Sequence, residues 1–525
     1  MQNSDKNVEE FSSQLSAKIW GHRFKDGQRG PEYVLEFLNV LYGTDYQLNA
    51  DCYFRNKSQN LRKFIFEGVK EGSKRGSAQL DQEKKKFLYE KLQDDNKIEV
   101  IRDFFRNLEI PLVDGKGKEA DRSWYARSLY PLHESLLFFE LRVKGENTSY
   151  ERNFFARGGE LYYLMVSYGA KNFPGVKHRI EQRFQQLLQK NNSVGQIVDS
   201  IQSVLGDEGE NKSEDRYPLK KVEKLSKEYP HLPIEEHELF DQFAEEMSNL
   251  LNLDIDVYDM FKLLTSLTCF HILLYMYERS KVDVNDRIEF FFDCLDGKNK
   301  EVQKISTSTF KNNEILIKEK FEDYFSKQFF SIIGHEEEVN RELSKWKEDP
   351  MIFIEKMGLQ KLQSRKKRVI NSLQKCKNYE DVKDKLHNVV KEVISDTLKR
   401  HQISINRTLA RDGGVGNFKA GSSYRYLMTD TFLQTLVFIN VKPKESIEFS
   451  EFLNMLYKKY GFIVGEMQAR ESALYDRSKV NIRHYQKNEL ALREKLRKNG
   501  LLVEYSDATA MIRNPYEMAE GVMTI

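Results

Sequence analysis

The chain has 525 residues, and 83 Lys and Arg nearly cancel 81 Asp and Glu, leaving a formal net charge of +2. That length exceeds what one hydrophobic core sustains, so several domains are expected. A hydrophobic fraction of 40% with 12% aromatics excludes global disorder, and near-neutrality leaves local cation clusters as the only charge signal for a partner.

With 10 Pro and 28 Gly in the whole chain, long helices are favoured over a turn-rich β-sandwich or barrel. The expected class is mainly α, a multi-domain helical protein with a C-terminal winged-helix module. Cys52, Cys269, Cys294 and Cys376 are widely spaced with no C-x-x-C pattern, which argues against a disulfide framework or zinc site and for a reducing, cytoplasmic setting. Met1 to Phe11 lacks the apolar run of a signal peptide. The most apolar stretch, Phe261 to Tyr277, carries Lys262, Thr265, Ser266, Thr268 and His271 and reads as a buried core helix rather than a membrane span.

In chain order, residues 1–148 read as a mostly helical N-terminal domain. Phe11, Leu15 and Ile19 recur at helical spacing before Trp20-Gly21-His22-Arg23, and Tyr33 to Tyr42 repeats the pattern after a glycine-rich turn. Gly72 to Ser77 reads as a loop, and Pro131 to Arg142 as helix or strand. Residues 149–206 form a helical segment in which Arg157-Gly158-Gly159-Glu160 opens a helix. Residues 207–218, acidic and glycine-containing, read as a linker. Residues 219–400 form a central helical domain, with Phe240, Phe243, Met247, Leu250 and Leu251 on one face and later Phe321, Tyr324, Phe325, Phe329 and Ile332 at three- and four-residue steps. A basic cluster, Arg365-Lys366-Lys367-Arg368, sits on one of these helices. Residues 401–428, containing Arg411-Asp412-Gly413-Gly414-Val415-Gly416, read as a loop.

Residues 429–525 carry the clearest pattern. Thr429-Asp430 opens a first helix with Phe432, Leu433, Leu436 and Val437. Ser446 to Phe449 begins a second, bearing Phe452, Leu453, Leu456 and Tyr457 and stopped by Gly461. A third spans Asn488 to Lys498. Leu501 to Tyr505 and Ala510 to Arg513 then alternate as a hairpin closed by Asn514-Pro515. Three helices followed by a hairpin is the order of a winged helix, whose third helix can enter the major groove. Lys487, Arg493, Lys495, Arg497, Lys498 and Arg513 would supply phosphate contacts. Such modules also serve as protein adaptors, so double-stranded DNA and a protein partner are both expected occupants of the basic face.

Catalytic signals are weak. The Gly413 to Gly416 loop lacks the Gly-Lys-Ser/Thr of a P-loop, and Arg157 to Glu160 lacks the third glycine of a dinucleotide fingerprint. His133-Glu134 and His335-Glu336 lack a second histidine four residues on, and His271 reads as a core residue. Asp293, Asp296 and Glu301 invite comparison with nuclease carboxylates, but the accompanying Glu-x-Lys is missing. No catalytic residue, metal ligand or cofactor is therefore expected.

Through Lys18-Ile-Trp-Gly-His-Arg23, Arg157-Gly-Gly-Glu-Leu-Tyr-Tyr-Leu-Met165 and the ending Ser506-Asp-Ala to Asn514-Pro-Tyr516, the chain resembles accessory subunits of bacterial anti-phage defence clusters. The phosphorothioation-dependent restriction and methylation-associated types are nearest in kind. That resemblance spans the chain loosely and carries no catalytic signature. It implies a non-enzymatic component that engages DNA beside a separate ATPase, helicase or nuclease, and it transfers no functional residue.

Overall fold

The computed structural model describes residues 16–519 except 22–23, 25–26, 55–58, 70–76, 113–118, 120–121, 138–141, 145–146, 150–156, 207–215, 220–231, 235, 284, 361–364, 419–422 and 507–508. Most of the expected linker, most of the Gly72 to Ser77 loop, and His22 and Arg23 lie outside the described residues.

The fold is mainly helical. Helices α1 (Gly30–Gly43), α2 (Gly158–Ala170), α3 (Glu238–Leu251) and α4 (Val257–Glu278) form its centre. The sequence dictates this arrangement through two glycines. A Cβ at Gly159 would lie 2.5 Å from the Tyr33 carbonyl oxygen of α1, and one at Gly169 would lie 1.8 Å from the Phe240 carbonyl oxygen of α3. Helix α2 is thus gripped at both ends, its backbone pressed on α1 and then on α3. The Arg157 to Glu160 motif is a packing device here: Gly159 donates its N–H to the buried Glu36 carboxylate at 2.7 Å.

Helix α4 is apolar nearly all round, as a helix enclosed by others must be. It is long and apolar enough to cross a membrane, and 83% of that stretch is buried inside the protein. Asp256 caps it by accepting from the N–H groups of Tyr258 and Asp259. Trp20, fully buried, locks the N-terminal chain to its far end: the indole donates to Met276 O at 3.2 Å and Tyr275 Oη donates to Trp20 O at 2.9 Å.

Beyond α4, strand β1 (Phe290–Phe291) precedes α5 (Lys300–Ile333), about 50 Å of helix at 1.5 Å per residue. Helix α6 (Lys366–Lys375) is short, and α7 (His387–Asp412) packs along α5. Arg407 pairs with Glu314 at 2.7 Å while His387 bonds Ser326 at 2.9 Å, so the two run antiparallel. Strands β2 (Gly416–Asn417) and β3 (Arg425–Tyr426) pair antiparallel. The stretch 401–428 is therefore not a loop. Its apolar positions Ile405, Leu409 and Ala410 are buried in α7, and the glycines end that helix instead of interrupting it.

The C-terminal elements are α8 (Asp430–Asn440), β4 (Ser446–Glu448), α9 (Phe449–Tyr460), β5 (Phe462–Ile463), α10 (Ile482–Lys498), β6 (Leu502–Glu504) and β7 (Ala510–Arg513). Two short helices, Glu466–Glu471 and Leu474–Ser478, fill the interval before α10. One hydrophobic cluster runs from Ile19 to Ile512, so helices from every expected segment contribute to a shared interior.

At its centre lies Glu246, wholly buried. His271 meets one carboxylate oxygen at 2.8 Å, while Lys459 at 2.7 Å, Tyr460 Oη at 2.8 Å and Gln242 at 2.8 Å reach the other. An ionised carboxylate only accepts, so His271 Nε2–H donates to it and Nδ1 takes the Tyr162 hydroxyl at 2.8 Å. Burial opposes ionisation of Glu246, but the His271 hydrogen bond and the Lys459 charge outweigh it and bring the carboxyl down to about 2. Burial also lowers the His271 imidazole below its ordinary value, against the raising effect of Glu246.

Both shifts set the same sign. The unfolded chain takes up a proton on histidine below about pH 6.5 and on glutamate below about 4.3, whereas the folded chain resists both. Stability should be greatest near neutrality and decline from about pH 6.5 downward, with the Glu246 contribution lost between about pH 4.3 and 2. Thermal melts from pH 7 to 3 check this. Glu246→Gln should lower stability at pH 7 by about 3 kcal/mol, as removal of one partner from a buried pair does, and should flatten the acid limb.

Candidate nucleic-acid interface

The sequence places the C-terminal elements through caps and one apolar stripe per helix. Thr429 caps α8 by accepting from Phe432 N, Gly461 ends α9 in a left-handed conformation, and Asn481 caps α10 by accepting from Arg483 N. Leu492 and Leu496 of α10 and Phe452, Leu453 and Leu456 of α9 are buried together with Ile512. The strands order as β6-β7-β4, all antiparallel, with Leu502 opposite Ile512 and Ile512 opposite Ile447.

Two expectations need correcting. Ser446 to Glu448 is a strand and not the start of the second helix, because Ile447 completes the sheet beside Ile512. The third helix begins six residues before Asn488, at Ile482. The strand at Ser446–Glu448 is the third of the sheet, and the earlier helix start puts Arg483 in the exposed first turn. Asn481, a good cap residue followed by Tyr485, Asn488 and Leu492 at helical steps, was the signal that would have found it.

This region is fastened to the helical body. Strand β5 pairs parallel with β1, Phe290 opposite Phe462. Asn488, fully buried in mid-α10, donates to Phe292 O at 2.8 Å and Val464 O at 3.0 Å and accepts from Cys294 N at 2.8 Å. Tyr485, also buried, packs on Phe291 and shares a 2.7 Å hydrogen bond with Ser478.

The ten cations singled out in the sequence are anchored on different elements. Arg365 donates to Val393 O of α7 at 3.1 Å and Arg368 pairs with Glu392, while Lys366 is half-buried and Lys367 exposed on α6. Of the C-terminal group, Lys495 is turned inward, 2.7 Å from Asp296 and 3.3 Å from Met428 O. Arg493 lies 3.1 Å from Glu504 of β6. Glu494 takes Arg497 at 2.9 Å and Lys498 at 3.6 Å. Lys487, Arg513 and the newly found Arg483 are exposed and enter no ion pair among the described residues.

The remaining candidates are used locally. Asp293, buried, accepts from Arg425 at 2.9 Å and from the Gly297 N–H at 2.9 Å; burial raises its carboxyl against the Arg425 charge. Asp296 holds Lys495 and Glu301 holds Lys304, so these carboxylates do not converge. Among the described residues no group of three or more His, Cys, Asp and Glu is placed to hold a metal. His133 accepts from the Ser135 N–H as a helix cap. Gly413 follows the end of α7, its carbonyl accepting from Ser266 at 2.7 Å.

Replacing Asn488 by Ala should destabilise the protein by about 2–4 kcal/mol, because two carbonyls and one N–H would be left buried without partners. Lys495→Met, which removes a partly solvated pair, should cost about 1 kcal/mol or less. Urea denaturation of the two variants measures the difference, and equal midpoints would contradict the assigned anchoring. No protein-family model, curated protein or solved structure matches this chain.

Proposed function

We propose that the chain is a non-catalytic, DNA-associated component of a larger protein assembly, and that residues 429–519 form a winged-helix module whose third helix, α10, meets the duplex. The arrangement of helices α8, α9 and α10 with the β6-β7-β4 sheet supports the fold reading. The observation that carries the DNA reading is the exposed first half of α10, where Arg483 and Lys487 stand without carboxylate partners beside the positive end of the helix dipole. Separate partners of ATPase, helicase or nuclease class would supply the chemistry of such an assembly, and the resemblance to anti-phage accessory subunits supports a role in bacterial defence.

A second reading, a protein adaptor without nucleic-acid affinity, is favoured by one observation: Glu494 and Glu504 neutralise Arg493, Arg497 and Lys498. Titration of duplex binding against salt separates the two. Each phosphate contact contributes about 0.9 to the slope of log affinity against log salt, so Lys487→Ala, which removes one such contact, should reduce the slope by about 1. Lys495→Met should leave it unchanged. Glu494→Gln, which frees Arg497 and Lys498, should tighten binding and steepen the slope. Absence of binding at about 50 mM salt would sink the DNA reading and leave the adaptor.

A further inference from the structure

The geometry points to sequence-selective reading of duplex DNA by the first half of α10, with Arg483, Gln486 and Leu490 meeting base edges and Lys487 the adjoining phosphate. This deepens the DNA-binding reading and rests on it.

The four side chains stand at i, i+3, i+7 and i+4 and so share one face. Arg483, Gln486 and Lys487 are exposed, and Leu490 is 61% exposed in their midst. A surface that only neutralises phosphates gains nothing from a bared leucine or an amide. The same set matches the major-groove code. Arginine forks onto guanine O6 and N7, glutamine bonds adenine bidentately, and an apolar side chain packs on the thymine methyl.

Dimensions agree with this assignment. Seven residues of helix advance about 10 Å, which is about three base pairs, and a helix fits a groove about 12 Å wide.

Preorganisation is built into the opposite face. Asn488 makes three hydrogen bonds to the backbone of the body and of β5's neighbour Val464, and Tyr485 is pinned by Ser478, so the reading side chains project from a fixed rod. The acidic residue of this half, Glu489, is turned toward Gly465 and away from the exposed face. Gln486 donates to Glu466 at 3.2 Å, an exposed bond that a base edge can replace. Beyond Leu490 the helix is self-neutralised through Glu494, which confines the anion-seeking surface to its first turns.

The test is selection of binding sites from a random-sequence duplex pool by the full chain at about 100 mM salt, within the range where phosphate contacts alone bind weakly. An enriched core of about three to five base pairs is expected. Arg483→Lys should keep the salt slope but lose about tenfold to a hundredfold on the selected site, because lysine lacks the bidentate fork. Gln486→Ala and Leu490→Ala should each lose affinity on the selected duplex and change little on a scrambled one. Circular dichroism melts matching the unsubstituted protein show that these exposed replacements leave the fold intact. An unenriched pool with salt-sensitive binding retained would overturn sequence reading while the DNA-binding reading stands. No binding at low salt would overturn both.

Discussion

Holding an ionised carboxylate in an apolar interior costs several kcal/mol unless its lone pairs are filled, and at Glu246 the whole fold is arranged to fill them. Donors arrive from within α3, from His271 of α4, and from Lys459 and Tyr460 of α9, with Tyr162 of α2 closing the chain behind the imidazole. Phe243 stacks on the imidazole at 4.0 Å and excludes water from its face. Helices α2, α3, α4 and α9 must therefore be in place together, since each contributes a group to this buried network. Lys459, at 28% exposure, and the half-buried Gln242 are the partners with solvent contact, and Lys459 belongs to the C-terminal region. The charge balance of the central interior thus depends on that region being docked.

That dependence fixes how the C-terminal region sits on the helical body. Independent modules on flexible tethers sample orientations freely, whereas α9 is held by Glu246, β5 by β1, and α10 by Asn488. The exposed side of α10 consequently has one orientation relative to the long α5–α7 pair. A ligand gripped there would be presented to the body at a fixed angle, which is useful to an assembly in which another subunit acts on that ligand.

Much of the helical layout was legible because its signals are local. The apolar run Phe261 to Tyr277 could only be an enclosed helix, and Thr429, Gly461 and Gly500 mark ends that depend on neighbours within a turn. The strand Ser446–Glu448 was not legible, since two of its three residues are exposed and polar and its order comes from pairing with β7 more than sixty residues on. Gly413 and Gly414 suggested a loop for the same reason in reverse: glycines ending a helix look locally like glycines within a loop, and the buried face of α7 decides between them. The basic face was legible as composition but not as chemistry. Lys495 and Asp296 are 199 residues apart, and nothing in the run Arg493 to Lys498 announces that its ammonium group points inward.

The distribution of carboxylates, more than the count of cations, sets what α10 can meet. Six of its residues are Lys or Arg, yet Glu494, Glu504 and Asp296 take up four of them. A uniformly basic helix would bind any phosphate backbone along its whole length. For a duplex ligand, restricting free charge to Arg483 and Lys487, with an amide and a leucine interleaved, would lower attraction to phosphate in general and raise the share of binding that depends on what lies between the phosphates. Net charge near zero and a short cationic window are two sides of that arrangement, because each carboxylate that silences a cation on the second half of α10 also lowers the chain's bulk affinity for polyanions.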